Sequence, residues 1–191
     1  MDRLPGNWHG YANLEGVAYR CGFCSADVGP NKCYHIQESA NIGHIRICTV
    51  CNRPTFFDNK NVQHPGVPFG QAVGNLPRQI ESLYTEARNC SSAGAYTAAV
   101  LACRKILMHI AVDQGSEKGL AFIDYVDYLA AKGFVPPHGK TWVDHIRKKS
   151  NEANHEIVLM NQNDAQELIT FLEMLLKFIY EFPARVPKPT P

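Results

Sequence analysis

No run of apolar residues in this 191-residue chain approaches the roughly 20 needed to cross a bilayer, so no membrane-spanning helix is expected. The opening segment, Met1 to Trp8, lacks a basic stretch followed by an apolar one. This stretch does not read as a secretion signal, and the cytoplasm is the expected location. Charge of one sign is missing as well. The net charge is +1, with 6 basic and 5 acidic residues through Pro65 and 13 of each beyond it. Such a balance excludes the broad electrostatic footprint of a protein that coats nucleic acid and leaves room for a small basic patch only. There is no internal repeat and no heptad seam of coiled-coil length. What is present, 45% hydrophobic and 10% aromatic residues, suits one ordinary core with a small satellite module.

Cysteine is the residue in excess. Seven are present, an odd number that fits poorly with a disulfide framework in a reducing compartment. Four fall in two pairs, Cys21-Gly22-Phe23-Cys24 and Cys48-Thr49-Val50-Cys51. Each C-x-x-C closes a tight turn that presents two thiolates on one side, and two such turns complete a tetrahedron around zinc. Four thiolates leave no position for water, so one structural Zn2+ per chain is expected, supplying much of the folding energy of a small β module. The competing readings are a redox pair or unrelated core cysteines. Cys33, His35 and His44 lie in the intervening loop and can replace one ligand, although a Cys33-x-His35 pair is a weaker geometry. Cys90 and Cys103 fall on predicted helices and read as small core residues.

The spacing divides the chain into a zinc-ribbon-like module over 1–62, a connection over 63–76 rich in Pro and Gly, a helical bundle over 77–183 and a flexible tail over 184–191. Short strand-like pieces, His44–Cys48 and Thr55–Phe57, mark the first part. Five helices are expected in the third. The first runs from about Pro77 to Cys90, with Ile80, Leu83, Tyr84 and Ala87 on one face. The second, about Ala95 to Asp113, carries an alanine stripe of Ala95, Ala98, Ala99 and Ala102 leading to Ile106. A third spans about Leu120 to Lys132 and a fourth about Thr141 to His155. In the fifth, Asn163 can cap with Gln166. Leu168, Phe171, Leu172, Leu175, Phe178, Ile179 and Phe182 then line one apolar face up to Pro183. The expected fold class is therefore mainly α: an antiparallel helical bundle preceded by a small β zinc ribbon.

One polar column stands out. On a helix, Asn151 and His155 share a face, with Arg147 one turn earlier. Such a column can bind phosphate, with the imidazole as general acid or base near neutral pH. It can equally satisfy polar groups between helices. Glu86 and Arg104 sit within otherwise apolar helices, either as an ion pair or with Arg104 turned toward His155 at an anion site.

Pro77-x-x-Ile80, Leu83-Tyr84-x-Glu86-Ala87 and Gly94-Ala95-Tyr96-x-Ala98-Ala99 leading to Arg104-Lys105 resemble the opening of the domain-of-unknown-function 4145 family. Ile146-Arg147-x-x-x-Asn151-x-x-x-His155 and Asp164-Ala165 before a Leu/Phe-rich helix resemble its second half. The resemblance covers about residues 77–183, and a zinc ribbon in front of such a domain is a familiar arrangement. It implies a HEPN-like bundle, a group that is often homodimeric and includes metal-independent RNases of prokaryotic defence systems. The active motif of that group is an arginine, four to six residues, then a histidine, frequently with a polar residue straight after the arginine. Aligning Asn151 and His155 with the motif puts Ser150 where the arginine belongs, and Arg147 stands too far away. Stabilising a transition-state phosphate then falls to Arg147, Arg104 or a partner chain. Two functions are expected from this: a binding or scaffolding module for a protein or nucleic-acid partner in a defence-related setting, or an endoribonuclease using His155.

Overall fold

The computed structural model describes residues 2–13, 15–35, 43–135 and 159–186. The chain forms two compact units, one through Pro68 and one from Phe69. It is mixed in class, with a small N-terminal sheet followed by helices. The expectation of a mainly α chain is thus met only in part.

The first unit is built from β1 (Ala12–Asn13), β2 (Tyr19–Arg20), β3 (Asp27–Val28), β4 (Lys32–His35), β5 (Gly43–Ile47), β6 (Pro54–Asp58) and β7 (Gln63–His64). Five strands make an antiparallel sheet in the order β1-β4-β5-β6-β7, while β2 and β3 form a separate two-stranded ribbon. Because side chains alternate across a strand, the register fixes two faces. Cys33, Arg46 and Thr55 stand in one row and His35, His44, Phe57 and Gln63 in another on the same face. Cys33, Arg46, Thr55 and Phe57 are buried there, and Tyr19 of β2 packs its ring edge-on against Phe57 at 5.1 Å. Burying Arg46 is tolerable because its guanidinium donates to the carbonyls of Glu15 (2.8 Å) and Pro30 (3.0 Å). The β6–β7 turn is closed by Asp58, whose carboxylate accepts the N–H groups of Lys60 and Val62.

The stretch 63–76, expected as a plain connection, is shared between the units. Gln63 and His64 extend the sheet. Residues 69–76 instead lie along the helices as a strap. Arg88 donates to the carbonyls of Phe69 (2.8 Å) and Gly70 (2.7 Å), and Tyr84 donates to that of Gln71 (3.0 Å). The amides of Gln71 and Gly74 donate to the carboxylates of Glu173 (2.8 Å) and Glu181 (3.0 Å). Val73, within the strap, is buried in the core of the helices.

The second unit contains α1 (Arg78–Ser92), α2 (Tyr96–Asp113), α3 (Phe122–Ala131) and α4 (Gln162–Leu176). The last continues through a π-helical turn, Lys177–Glu181, into the short α5 (Phe182–Arg185). The helix expected over 141–155 lies outside the described residues. Helix α2 is central, packing against α1, α3 and α4. Its apolar residues are spaced to serve all three neighbours: Ala99, Cys103, Ile106, Leu107 and Ile110 are all buried. Ala98 is exposed and Ala95 sits at the helix cap, so the alanine stripe is narrower than its spacing suggests. Helices α1, α2 and α3 end alike. The amides of Ala95, Ser116 and Phe134 each donate back five residues, to the carbonyls of Cys90, Ala111 and Leu129. Each closure needs a left-handed residue just before the donor, and Gly94, Gly115 and Gly133 supply it.

Two expectations for the last helix are corrected. Its cap is Asn161 rather than Asn163: the Asn161 side chain accepts from the Asp164 amide (3.1 Å) while Asp164 accepts from the Asn161 amide (2.9 Å). Beyond Leu176 the π turn inserts an extra residue, so the buried series steps from Leu172 to Leu176 and then five places to Glu181. Phe178 and Phe182, expected in the core, are rotated outward and pack edge-on against one another at 5.5 Å.

Candidate metal centre

The two C-x-x-C segments fold into matching turns. In the first, the Cys21 amide donates to the Ala26 carbonyl (2.9 Å) and the Ser25 amide to the Cys21 carbonyl (2.8 Å). In the second, the Cys48 amide donates to the Arg53 carbonyl (3.0 Å) and the Asn52 amide to the Cys48 carbonyl (3.0 Å). Ser25 and Asn52, each directly after the second cysteine, adopt the left-handed conformation with φ of 58° and 60°. Asn tolerates that region because its short amide can bond locally. Here the Asn52 side chain donates to the carbonyls of Leu4 (3.0 Å) and Gly6 (3.1 Å).

These turns bring Cys21, Cys24, Cys48 and Cys51 together, with all four sulfurs within 4.8 Å of one another. Cys21 Sγ lies 3.7 Å from Cys51 Sγ, and Cys24 Sγ lies 3.8 Å from Cys48 Sγ. A disulfide needs about 2.0 Å, so the sulfurs are not bonded to each other. A tetrahedral ion with metal–sulfur bonds of about 2.3 Å requires sulfur–sulfur edges of about 3.8 Å, a value these two separations meet while the other four stay within 4.8 Å. The donor set therefore fits a tetrahedral metal ion, and an ion held by all four would have no site for water.

The surroundings pull the thiols in two directions. Backbone amides point at the sulfurs, Phe23 N–H at Cys21 (3.4 Å) and Cys51 N–H at Cys48 (3.5 Å). Burial pushes the Cys51 thiol up to about 12 and raises Cys21 as well. Burial works in the same direction on Cys48, but amide and thiol hydrogen bonds outweigh it and hold that thiol below its ordinary value. Burial also raises the Tyr19 hydroxyl to about 12, with the neighbouring cysteine charges adding to the effect. Four thiols packed this closely, three of them buried, gain most from a cation that takes their charge.

Two further elements hold the turns in place. Residues 3–8 cross the second turn: Arg3 donates to the carbonyls of Thr49 (3.0 Å) and Val50 (3.2 Å), the Leu4 amide donates to that of Cys51 (2.8 Å), and Trp8 Nε1 donates to that of Asn52 (2.9 Å). Behind the first turn, Gln63 bridges the carbonyls of Arg20 (2.9 Å) and Pro65 (3.1 Å). Gly22 packs so closely there that a Cβ on it would lie 2.2 Å from the Pro65 oxygen.

Cys33 stands apart from the cluster. It is buried in β4 with its Sγ directed at the Tyr34 carbonyl (3.5 Å), and burial raises its thiol. His44 stacks on Phe57 at 5.0 Å, and desolvation lowers its imidazole. His35 lies opposite His44 across the β4–β5 ladder, and none of the three belongs to the four-sulfur group. Sequence spacing found the four sulfurs. It missed Ser25, Asn52 and Trp8, whose signal was a turn residue after each pair and an aromatic among prolines and glycines.

In the helical unit, the Arg104 guanidinium lies over the Phe122 ring at 4.4 Å and is half-buried, with desolvation lowering its basicity. Glu86 is exposed, and among the described residues no ion pair joins it to Arg104. Arg147, Asn151 and His155 lie outside the described residues. Among the described residues, no helix is long and apolar enough to cross a membrane.

Comparison with curated proteins and with solved structures gives no match. The profile of the Domain of unknown function (DUF4145) family matches residues 85–188, more than half of the chain and within its helical unit. The cysteine module lies ahead of that match. This chain belongs to the DUF4145 family.

Proposed function

We propose that this protein is a binding module in which a zinc-stabilised ribbon is joined to a DUF4145 helical domain, and that it has no metal-dependent chemistry of its own. The observation that carries this reading is the four-sulfur cluster, whose edges suit a tetrahedral ion and whose donor set is complete without water. Zn2+ fits best, because four thiolates in a redox-neutral tetrahedral site are its preferred structural environment. Cys21, Cys24, Cys48 and Cys51 would hold the ion, which would supply folding energy and a rigid platform. The resemblance of the helical unit to HEPN-like bundles supports pairing with a second copy, giving two ribbons per assembly in a defence-related setting.

The test is metal analysis of the purified chain together with Cys→Ser substitution at each of the four positions. One zinc per chain is expected, lost in every variant along with the β-sheet signal of the first unit, while the helical circular-dichroism signal persists. A metal-free chain whose sheet stays folded would remove the proposal.

A further inference from the structure

Charge in the ribbon unit is not balanced among its own side chains. Among its described residues Arg20 meets Asp27 at 3.9 Å and His64 meets Asp58 at 3.4 Å, while no carboxylate lies within ion-pair distance of Arg3, Arg46 or Arg53. Arg3 is exposed and donates to the Thr49 and Val50 carbonyls, and buried Arg46 donates to those of Glu15 and Pro30. Arg53 has no such acceptor. Its Nη1 is buried, and among the described residues no hydrogen-bond partner reaches it. The guanidinium instead lies over the Phe23 ring at 5.6 Å.

Both ends of this residue sit on the cysteine turns. The Arg53 carbonyl accepts from the Cys48 amide at 3.0 Å and closes the second turn, while Phe23 lies between the two cysteines of the first. A partly desolvated cation with a buried, unpartnered N–H is unfavourable unless an anion stands close by, and a ring face alone is a weak substitute. Four thiolates around Zn2+ are such an anion: the centre they form is doubly negative, and three of the four ligands are buried.

We propose that Arg53 is the counter-charge of the metal centre, a positioning residue that raises its hold on the ion and lowers the reactivity of its sulfurs. This rests on the zinc-bound reading given above. The guanidinium acts through the ligands rather than on the ion, as groups outside a ligand set do. In a low-dielectric setting its attraction to the thiolates exceeds that between two solvated charges. Sulfur electrons held more tightly are poorer nucleophiles, so the centre is guarded against alkylation. The competing role is packing on Phe23, which needs the stem and the ring but not the charge.

The experiment compares the wild type with Arg53→Met, Arg53→Gln, Arg53→Lys and Phe23→Leu, as full-length chains loaded with Zn2+ or Co2+. Zinc affinity is read by competition with a chromophoric chelator, and the thiolate-to-cobalt charge-transfer band by absorption. Arg53→Met and Arg53→Gln remove the charge and keep a stem over Phe23. Each should weaken zinc about 10- to 100-fold, the range for groups outside the ligand set. Each should also move the charge-transfer band to longer wavelength, because the sulfur electrons are less tightly held, while the ligand-field bands of a tetrahedral site stay in place. Arg53→Lys keeps the charge and should restore the band and most of the affinity. Phe23→Leu removes the ring but not the cation and should leave both close to wild type. N-ethylmaleimide should release zinc faster from the two neutral variants than from the wild type or Arg53→Lys.

The proposal is overturned if the neutral variants hold zinc as the wild type does, if they lose affinity with an unmoved charge-transfer band, or if Phe23→Leu reproduces their loss. Each of these outcomes leaves the metal module standing. A wild-type chain that takes up neither Zn2+ nor Co2+ overturns the metal module itself, and the role of Arg53 with it.

Discussion

Gly22→Ala isolates the fit between the first cysteine turn and the chain behind it. A Cβ at Gly22 would lie 2.2 Å from the Pro65 carbonyl oxygen and 2.7 Å from that of Gly66, where ordinary contact begins at 3.4 Å. The Pro65 backbone must therefore retreat by about 1.2 Å, or the turn must advance away from it. Both obstacles are backbone, so no side chain can rotate aside. Overpacking of this kind costs about 1–3 kcal/mol, and rigid neighbours place Gly22→Ala at the upper end. Folding of a small metal module is coupled to metal capture, so 2–3 kcal/mol should emerge as zinc affinity weakened about 30- to 150-fold. The assay is competition for zinc against a chromophoric chelator. The control is Gly29→Ala in the same unit, where a Cβ would meet nothing within 4 Å and no change is expected. The reasoning is refuted if Gly22→Ala holds zinc as tightly as Gly29→Ala and the wild type do.

Three further outcomes are expected. With zinc bound, one rapid alkylation by iodoacetamide near pH 8 should be seen by mass spectrometry, at half-buried Cys90. Cys33 and Cys103 are buried, and Cys103 is raised by burial to about 12, so it stays a protonated thiol until the pH is far higher. Fast labelling of Cys103 would contradict the packing of α2. Glu181→Ala strands the Gly74 amide that its carboxylate accepts and removes the partner of Arg185, so a loss of about 1–3 kcal/mol is expected in chemical denaturation of the helical unit. Glu181→Gln should recover part of it, and equal stability of all three would place the strap's anchor elsewhere. Finally, mixed RNA incubated with the protein in EDTA should remain intact, because no arginine sits at the usual distance from His155. Cleavage abolished by His155→Ala would establish the endoribonuclease instead.

The helices were legible where the periodicity was long and unbroken. Ile80, Tyr84 and Ala87 on α1 and Leu168, Leu172 and Leu175 on α4 are buried as their spacing predicts. The four-sulfur cluster was legible too, since cysteine pairs at C-x-x-C spacing bring their thiols together on tight turns. Three features were not. A π turn leaves no mark in apolar spacing, and from Phe178 onward the 3.6-residue pattern points the wrong way. The strap over 69–76 looks like a linker because its bonds come from Arg88, Glu173 and Glu181, far away in sequence. Cys33, Arg46 and Thr55 are scattered along the sequence and become a buried row only through strand register.

The crossing of residues 3–8 over the second cysteine turn also dictates an order of events during synthesis. Trp8 leaves the ribosome 44 residues ahead of its acceptor Asn52, and Arg3 leads Thr49 by 46. Until Cys51 emerges, the first turn can offer an ion two sulfurs of the four, and Leu4 and Trp8 have nowhere to dock. Nascent chains stalled just short of Cys48 should therefore carry an open, protease-sensitive amino-terminal segment. Those extended well past Asn52 can close the metal site and the segment over it together.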